Sequence, residues 1–269
     1  MSMIRVNDLN MYFEIHGQGF PLLLIMGLKR NTGWWYLQIP ELAKHFKVIA
    51  FDNRGAGRTG MPDAEYSIPL FAEDTAALMD ALGVSRAHVL GISMGGYIAQ
   101  ELAIRRPDLV EGLVLGCTAC GGGRAVLMSD ETRAAYVANE GLSLEQILRK
   151  DLHIYFSDGF IAAQPERIEE FIAISLRHVQ TPEAFARQFK ACLGHDTADR
   201  LGKIQAPTMI MAGDDDHLVP TQNSLILKEL MPMGRLILYP GLRHCFFMED
   251  YERFNSEVID FLESIKPAV

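Results

Sequence analysis

Ser93 stands between two glycines, in Gly91-Ile92-Ser93-Met94-Gly95, at a point where the chain changes character. Ala87 to Ile92 is a short apolar run that reads as a buried strand, and Met94 to Arg106 has helical spacing. A strand that passes directly into a helix must turn sharply. The turn strains its central residue and brings neighbouring backbone too close for a Cβ, which glycines relieve. In that setting G-x-S-x-G is a nucleophile elbow: it lifts a serine hydroxyl above the sheet, at a helix N-terminus where free N–H groups favour developing negative charge. Outside that setting the same pattern is an ordinary glycine-rich loop.

A serine hydroxyl is a weak nucleophile until a base takes its proton. The chain has eight histidines. His16 falls in an early strand, His45 at a helix end and His88 inside the strand before the elbow. His153, His178 and His195 fall in a helical stretch, and His217 adjoins the acidic run described next. His244 follows the last strand in Pro240-Gly-Leu-Arg-His244, in a loop that can bring an imidazole to Ser93. Such an imidazole needs a carboxylate to fix its tautomer and stabilise its cation. Asp214, Asp215 and Asp216 follow the preceding strand as three adjacent candidates, and the residues alone do not choose among them.

The elements that must position these groups alternate. Strands are expected at Met3–Val6, Met11–His16, Leu22–Met26, Lys47–Phe51, Ala87–Ile92, Leu113–Gly116, Thr208–Ala212 and Leu236–Tyr239. Helical patterns cover Tyr36–His45, Leu70–Leu82, Met94–Arg106, Thr221–Leu230 and Tyr251–Ile265. This order predicts an α/β fold with a mostly parallel sheet covered on both faces and an antiparallel start. From Gly121 to Asp199 the alternation stops. Ile168, Phe171, Ile172, Ser175 and Leu176 keep helical spacing, as do Phe185, Phe189, Cys192 and Leu193. Ser143 to Gln146 reads as a capping box and Thr181-Pro182 as a helix start. About four helices are expected here, over the strands' C-terminal edge, where open α/β sheets bind ligands.

With these residues in view, the chain resembles the α/β-hydrolase superfamily, its serine members with a helical cap. Ser, Asp, His is that family's chain order. Gly213-Asp-Asp-Asp216-His-Leu-Val-Pro220 is similar to its G-x-x-D-x-x-x-P, Gly241-Leu-Arg-His244 to its G-x-x-H, and Asp52-Asn-Arg-Gly-Ala-Gly-Arg-Thr59 to its D-x-R-G-x-G-x-S loop. The resemblance implies an eight-stranded core from residues 1–120 and 200–269 with a helical cap at 121–199. It implies Asp216 as the acid of a Ser93–His244–Asp216 triad, and an oxyanion hole from the backbone N–H groups of Leu28 and Met94. One departure touches that hole: Met26-Gly27 stands where the family often has His-Gly.

The implied chemistry is acyl transfer from a small or medium apolar carboxylic ester, with no metal or organic cofactor. Enol-lactone, carbon–carbon bond and haloperoxidase-type hydrolases share the machinery, and some members of the family are small-molecule receptors. The aromatic residues from Trp34 to Phe189 read mainly as packing. The net charge of −9 argues against nucleic acid and against anionic membrane surfaces. The longest apolar run, Phe20 to Leu28, is too short to cross a bilayer. The N-terminus lacks a basic segment followed by an apolar one, so a cytoplasmic protein is expected. A homo-oligomer is neither required nor opposed. Cys117-Thr-Ala-Cys120 has redox or zinc spacing, but no second pair follows, and all four cysteines read as small hydrophobes.

Overall fold

Leu22, Leu23, Leu24 and Ile25 are all shielded from solvent. Leu22 and Leu24 point into one layer with Val48, Ala50, Leu90 and Ile92; Leu23 and Ile25 point into the other with Ile49, Val89, Leu113 and Leu115. That alternation within continuous apolar runs marks strands covered on both faces. A computed structural model describes residues 2–265. Its strands are β1 (Ser2–Val6), β2 (Leu9–His16), β3 (Pro21–Ile25), β4 (Lys47–Phe51), β5 (Ala87–Ile92), β6 (Val110–Gly116), β7 (Thr208–Gly213) and β8 (Arg235–Tyr239). They form one eight-stranded sheet in the order β1-β2-β4-β3-β5-β6-β7-β8. The pairs β1/β2 and β2/β4 are antiparallel and the rest parallel.

The core helices are α1 (Ile39–Leu42), α2 (Ile68–Ala81) and α3 (Met94–Arg105). Between β6 and β7 lie α4 (Asp130–Val137), α5 (Leu144–Tyr155), α6 (Asp158–Ala163), α7 (Pro165–Ser175) and α8 (Pro182–Leu193). Then come α9 (Gln222–Leu230), α10 (Phe246–Glu249) and α11 (Tyr251–Glu263). Ser143 and Gln146 form the expected capping box, and Thr181 caps α8 with Pro182 in its first turn.

Two expectations change. The helix expected over Tyr36–His45 is a 3-10 turn at Thr32–Trp35 followed by the single turn α1. Pro40 can sit only in a first turn, so α1 begins at Ile39. The stretch after β6 holds five helices rather than about four. α4 buries no residue and so has no apolar face to read, and α6 is only six residues long.

Candidate active site

Ser93 has φ 56° and ψ −121°, a region costly for any residue with a Cβ. The surroundings over-determine it. Its N–H donates to Gly116 O at 2.9 Å, and its carbonyl accepts from Gly96 N at 2.9 Å and Thr118 Oγ1 at 2.8 Å. A Cβ at Gly91 would overlap the Gly95 carbonyl, and one at Gly95 would overlap the Ile25 carbonyl, so β5, β3 and α3 can meet here only through glycine. The Ser93 side chain is partly exposed and makes no hydrogen bond to protein among the described residues.

The three aspartates after β7 have three different surroundings. Asp214 Oδ1 accepts from Gly241 N at 2.6 Å. Asp215 takes Arg243 Nε at 3.1 Å on one oxygen and meets His217 Nε2 at 3.0 Å with the other. Asp216 is the one beside His244, with Nδ1 and Oδ2 2.8 Å apart and both side chains buried. Its other oxygen accepts from Leu218 N and Val219 N at 2.8 and 2.9 Å, which fixes the carboxylate before any substrate arrives. Cys117, at the end of β6, connects this pair to the elbow. Its sulfur, an Asp216 oxygen and a His244 ring nitrogen all lie within 4.8 Å of one another, and the residues on either side of it, Gly116 and Thr118, hydrogen-bond the Ser93 backbone. Burial, with Asp216 alongside, pushes the Cys117 thiol well above its ordinary range and keeps it neutral. Cys120 and Cys245 are likewise buried free thiols, and Cys192 is half-buried.

Gly27 faces the serine: a Cβ built on it would lie 3.0 Å from Ser93 Cβ and 3.4 Å from Oγ. Neither the Leu28 nor the Met94 N–H donates to a protein group among the described residues. The residues that hold this loop escaped the sequence reading as functional residues. Asp52 Oδ1 accepts from Thr32 N at 2.7 Å and its Oδ2 from Arg58 N at 2.9 Å, while Asn53 Nδ2 donates to Met26 O at 2.8 Å. Arg54 is committed to Asp74 and Asp8. The Asp52–Thr59 run was legible as a motif; its task of clamping the 26–32 loop depends on contacts between β3 and β4 that spacing does not reveal.

The helical stretch reaches the same loop. Gln188 of α8, fully buried, accepts from Lys29 N at 3.1 Å and donates to Arg54 O at 2.8 Å. Gln180 donates to Gly55 O at 2.8 Å and Asn31 to Arg177 O at 3.1 Å. On the other side Arg243, next to His244, donates to His153 O, Phe156 O and Asp158. Tyr155 places its ring centre 6.5 Å from that of His244. Trp34, Trp35, Tyr155, Phe156 and Phe171 pack into the core layer, whereas Phe189 is largely exposed.

Four of the other histidines have partners elsewhere. His16 pairs with Glu14, and His45 with Glu263. Burial pushes His88 and His195 down to about 4, so both stay neutral at pH 7. His195 stacks on Tyr97 at 4.3 Å. An open groove of about 440 Å³ runs between α6 and the start of α11, and neither Ser93 nor His244 lines it. A narrow cleft of about 10 Å³ reaches Lys29, Arg30 and Trp34. No helix among the described residues is long and apolar enough to cross a membrane.

A family model for the alpha/beta hydrolase fold matches residues 21–251. A protein of Azorhizobium caulinodans named "Putative carbamate hydrolase RutD" is 32% identical over 268 residues, covering 98% of this chain and 99% of that protein. Among solved structures, the enol-lactonase from Burkholderia xenovorans superposes with a TM-score of 0.85 at 23% identity, over 97% of this chain and 100% of that one. The meta-cleavage product hydrolase CumD from Pseudomonas fluorescens also gives 0.85, at 25% identity, over 99% and 98%. With most of the chain matched and the sheet order in hand, this protein belongs to the α/β-hydrolase fold family and is a hydrolase of that family.

Proposed function

We propose that this hydrolase works through an acyl-enzyme on Ser93 and cleaves a small or medium carboxylic ester, with residues 121–199 as a cap over the strands' C-terminal edge. His244 takes the proton of Ser93 as the oxygen attacks the acyl carbon. The N–H groups of Leu28 and Met94 hold the oxyanion, and Asp216 keeps the imidazole in the tautomer whose free Nε2 can accept. His244 then gives its proton to the leaving oxygen, and a water, deprotonated by the same imidazole, releases the acid. The observation that carries this reading is the buried Asp216–His244 pair, packed on Cys117, whose neighbours Gly116 and Thr118 hold the backbone of a serine in a strained turn. The missing Ser93–His244 hydrogen bond fits a free site, since such bonds commonly tighten only around substrate.

The names of the similar proteins point to different bonds: a carbamate, an enol lactone and a carbon–carbon bond. Each such cleavage includes attack on a carbonyl carbon, so the shared machinery supports acyl transfer and leaves the leaving group to the cap. Turnover of p-nitrophenyl acetate by the wild type, lost in Ser93→Ala, tests the reading and separates an enzyme from a receptor of the same fold. Retention of most activity by the variant would remove Ser93 from the mechanism.

A further inference from the structure

Arg30 follows the proposed oxyanion loop by two residues. It is 6% exposed, and among the described residues no carboxylate lies within 4.0 Å of its guanidinium. One face of that group lies 4.0 Å above the Trp34 ring, and Nη2 donates to Tyr155 Oη at 3.0 Å. Tyr155 in turn neighbours His244, and its hydroxyl is 3.4 Å from that of Tyr136. The charges nearby add to the imbalance. Lys29 is held down to about 8, first by burial and then by Arg30, and the neighbouring buried carboxylate, Asp151, is already taken by Lys150 Nζ at 2.6 Å. Stacking on Trp34 and the hydroxyl of Tyr155 would anchor the loop equally well through a neutral side chain. They do not account for a whole positive charge kept out of water one tyrosine away from His244, an arrangement that is unfavourable unless an anion meets it.

We infer that the substrate carries a carboxylate and that Arg30, with the Tyr155 hydroxyl beside it, binds that group while the ester carbonyl sits at Ser93. This rests on the reading of Ser93 as the nucleophile and replaces the apolar ester expected from the sequence: the ester is a half-ester, one end anionic and the other cleaved. A planar guanidinium suits a carboxylate because two N–H donors match two oxygens.

The test uses monomethyl glutarate and dimethyl glutarate, alike in length and differing in one charge. Binding to Ser93→Ala is measured by calorimetry and by tryptophan fluorescence, for which Trp34 is the built-in reporter. The monoester should bind about ten- to hundredfold more tightly than the diester. Arg30→Gln in the same background should erase most of that preference, and Arg30→Lys should restore part of it. Equal or tighter binding of the diester with Arg30 in place overturns the inference, as does no binding of the monoester, and neither result depends on whether the Arg30 variants fold. Hydrolysis of both esters by the wild type is followed separately by pH-stat. Charge-selective binding without hydrolysis would keep the carboxylate site and sink the ester reading; hydrolysis of both without selectivity would do the reverse.

Discussion

At the β5–α3 junction, Ser93 is fixed by contacts that admit no substitute. Glycines at 91 and 95 sit where a Cβ would overlap a backbone carbonyl, and the serine's own N–H and C=O are both engaged. The helices between β6 and β7 are attached to the core differently. Gln188, Gln180 and Asn31 on one side and Arg243 on the other tie side chains to backbone carbonyls and N–H groups. Each such bond contributes only about 1 kcal/mol net. The first region is a steric all-or-none arrangement, whereas the second is a set of separable straps. Changes at the elbow and its partners should therefore abolish function, and changes in the straps should grade it.

The largest effect is expected at the elbow. Ser93→Ala removes the proposed nucleophile, and kcat should fall by about a millionfold, as in serine enzymes whose residues act as a unit. Because alanine relieves none of the packing around the turn, thermal unfolding should move little. A large loss of stability together with retained activity would contradict both halves of the contrast.

Asp216→Asn comes next. Asparagine keeps the shape but favours the wrong imidazole tautomer, and a loss of about ten-thousandfold in kcat is expected. Asp215→Asn is the control that sharpens the point. Asp215 pairs with Arg243 and His217, so it belongs to the straps, and its loss should cost activity no more than about tenfold. If the two variants fell equally, the assignment of Asp216 as the orienting acid would be wrong.

These three neighbouring aspartates also mark how far the sequence could be read. Alternation of strands and helices predicted the sheet, because a strand buried on both faces leaves an apolar run and a turn leaves glycine. The elbow was legible for the same reason: its determinants are local. The choice among Asp214, Asp215 and Asp216 was not local; it came from a family resemblance, since it depends on where the β8 loop folds back across β7. Gln188 and Arg30 left no signal at all. A buried glutamine or arginine looks like a surface residue in the sequence, and only the docking of α5 and α8 on the 27–31 loop gives them their surroundings.

Each region also buries one neutral histidine, and these predict a shared pH response. His88 lies in β5, between Phe20 and Phe46, and His195 at the base of the helical stretch, against Tyr97. Burial lowers both to about 4 from 6.5. Between those values the unfolded chain binds protons that the native state refuses, so stability should rise as pH increases from about 4 to 6.5 and level off above it. Each histidine should contribute on the order of 2–3 kcal/mol to that change. Urea unfolding across this range measures the slope. His88→Leu and His195→Leu should each remove about half of it, and an unchanged slope in either variant would show that the imidazole is protonated in the fold.

The smallest and most diagnostic effect belongs to a strap. Gln188 accepts the N–H of Lys29, the residue after the proposed donor Leu28, and simultaneously holds Arg54 O on the neighbouring loop. Gln188→Met keeps the volume and apolar stem but drops both hydrogen bonds. If Gln188 only attaches α8, the variant should lose about 1–2 kcal/mol of stability with kcat unchanged. If it also positions the oxyanion loop, kcat should fall by about tenfold while KM stays near its original value, because the Leu28 donor matters chiefly once charge develops on the substrate oxygen. The second outcome is expected, since Lys29 has φ 72° and a strained residue keeps its place only while its neighbours hold it. Faster amide exchange at residues 28–31 in the variant, with exchange in β5 and α3 unaltered, would tie the lost turnover to this loop and leave the elbow untouched.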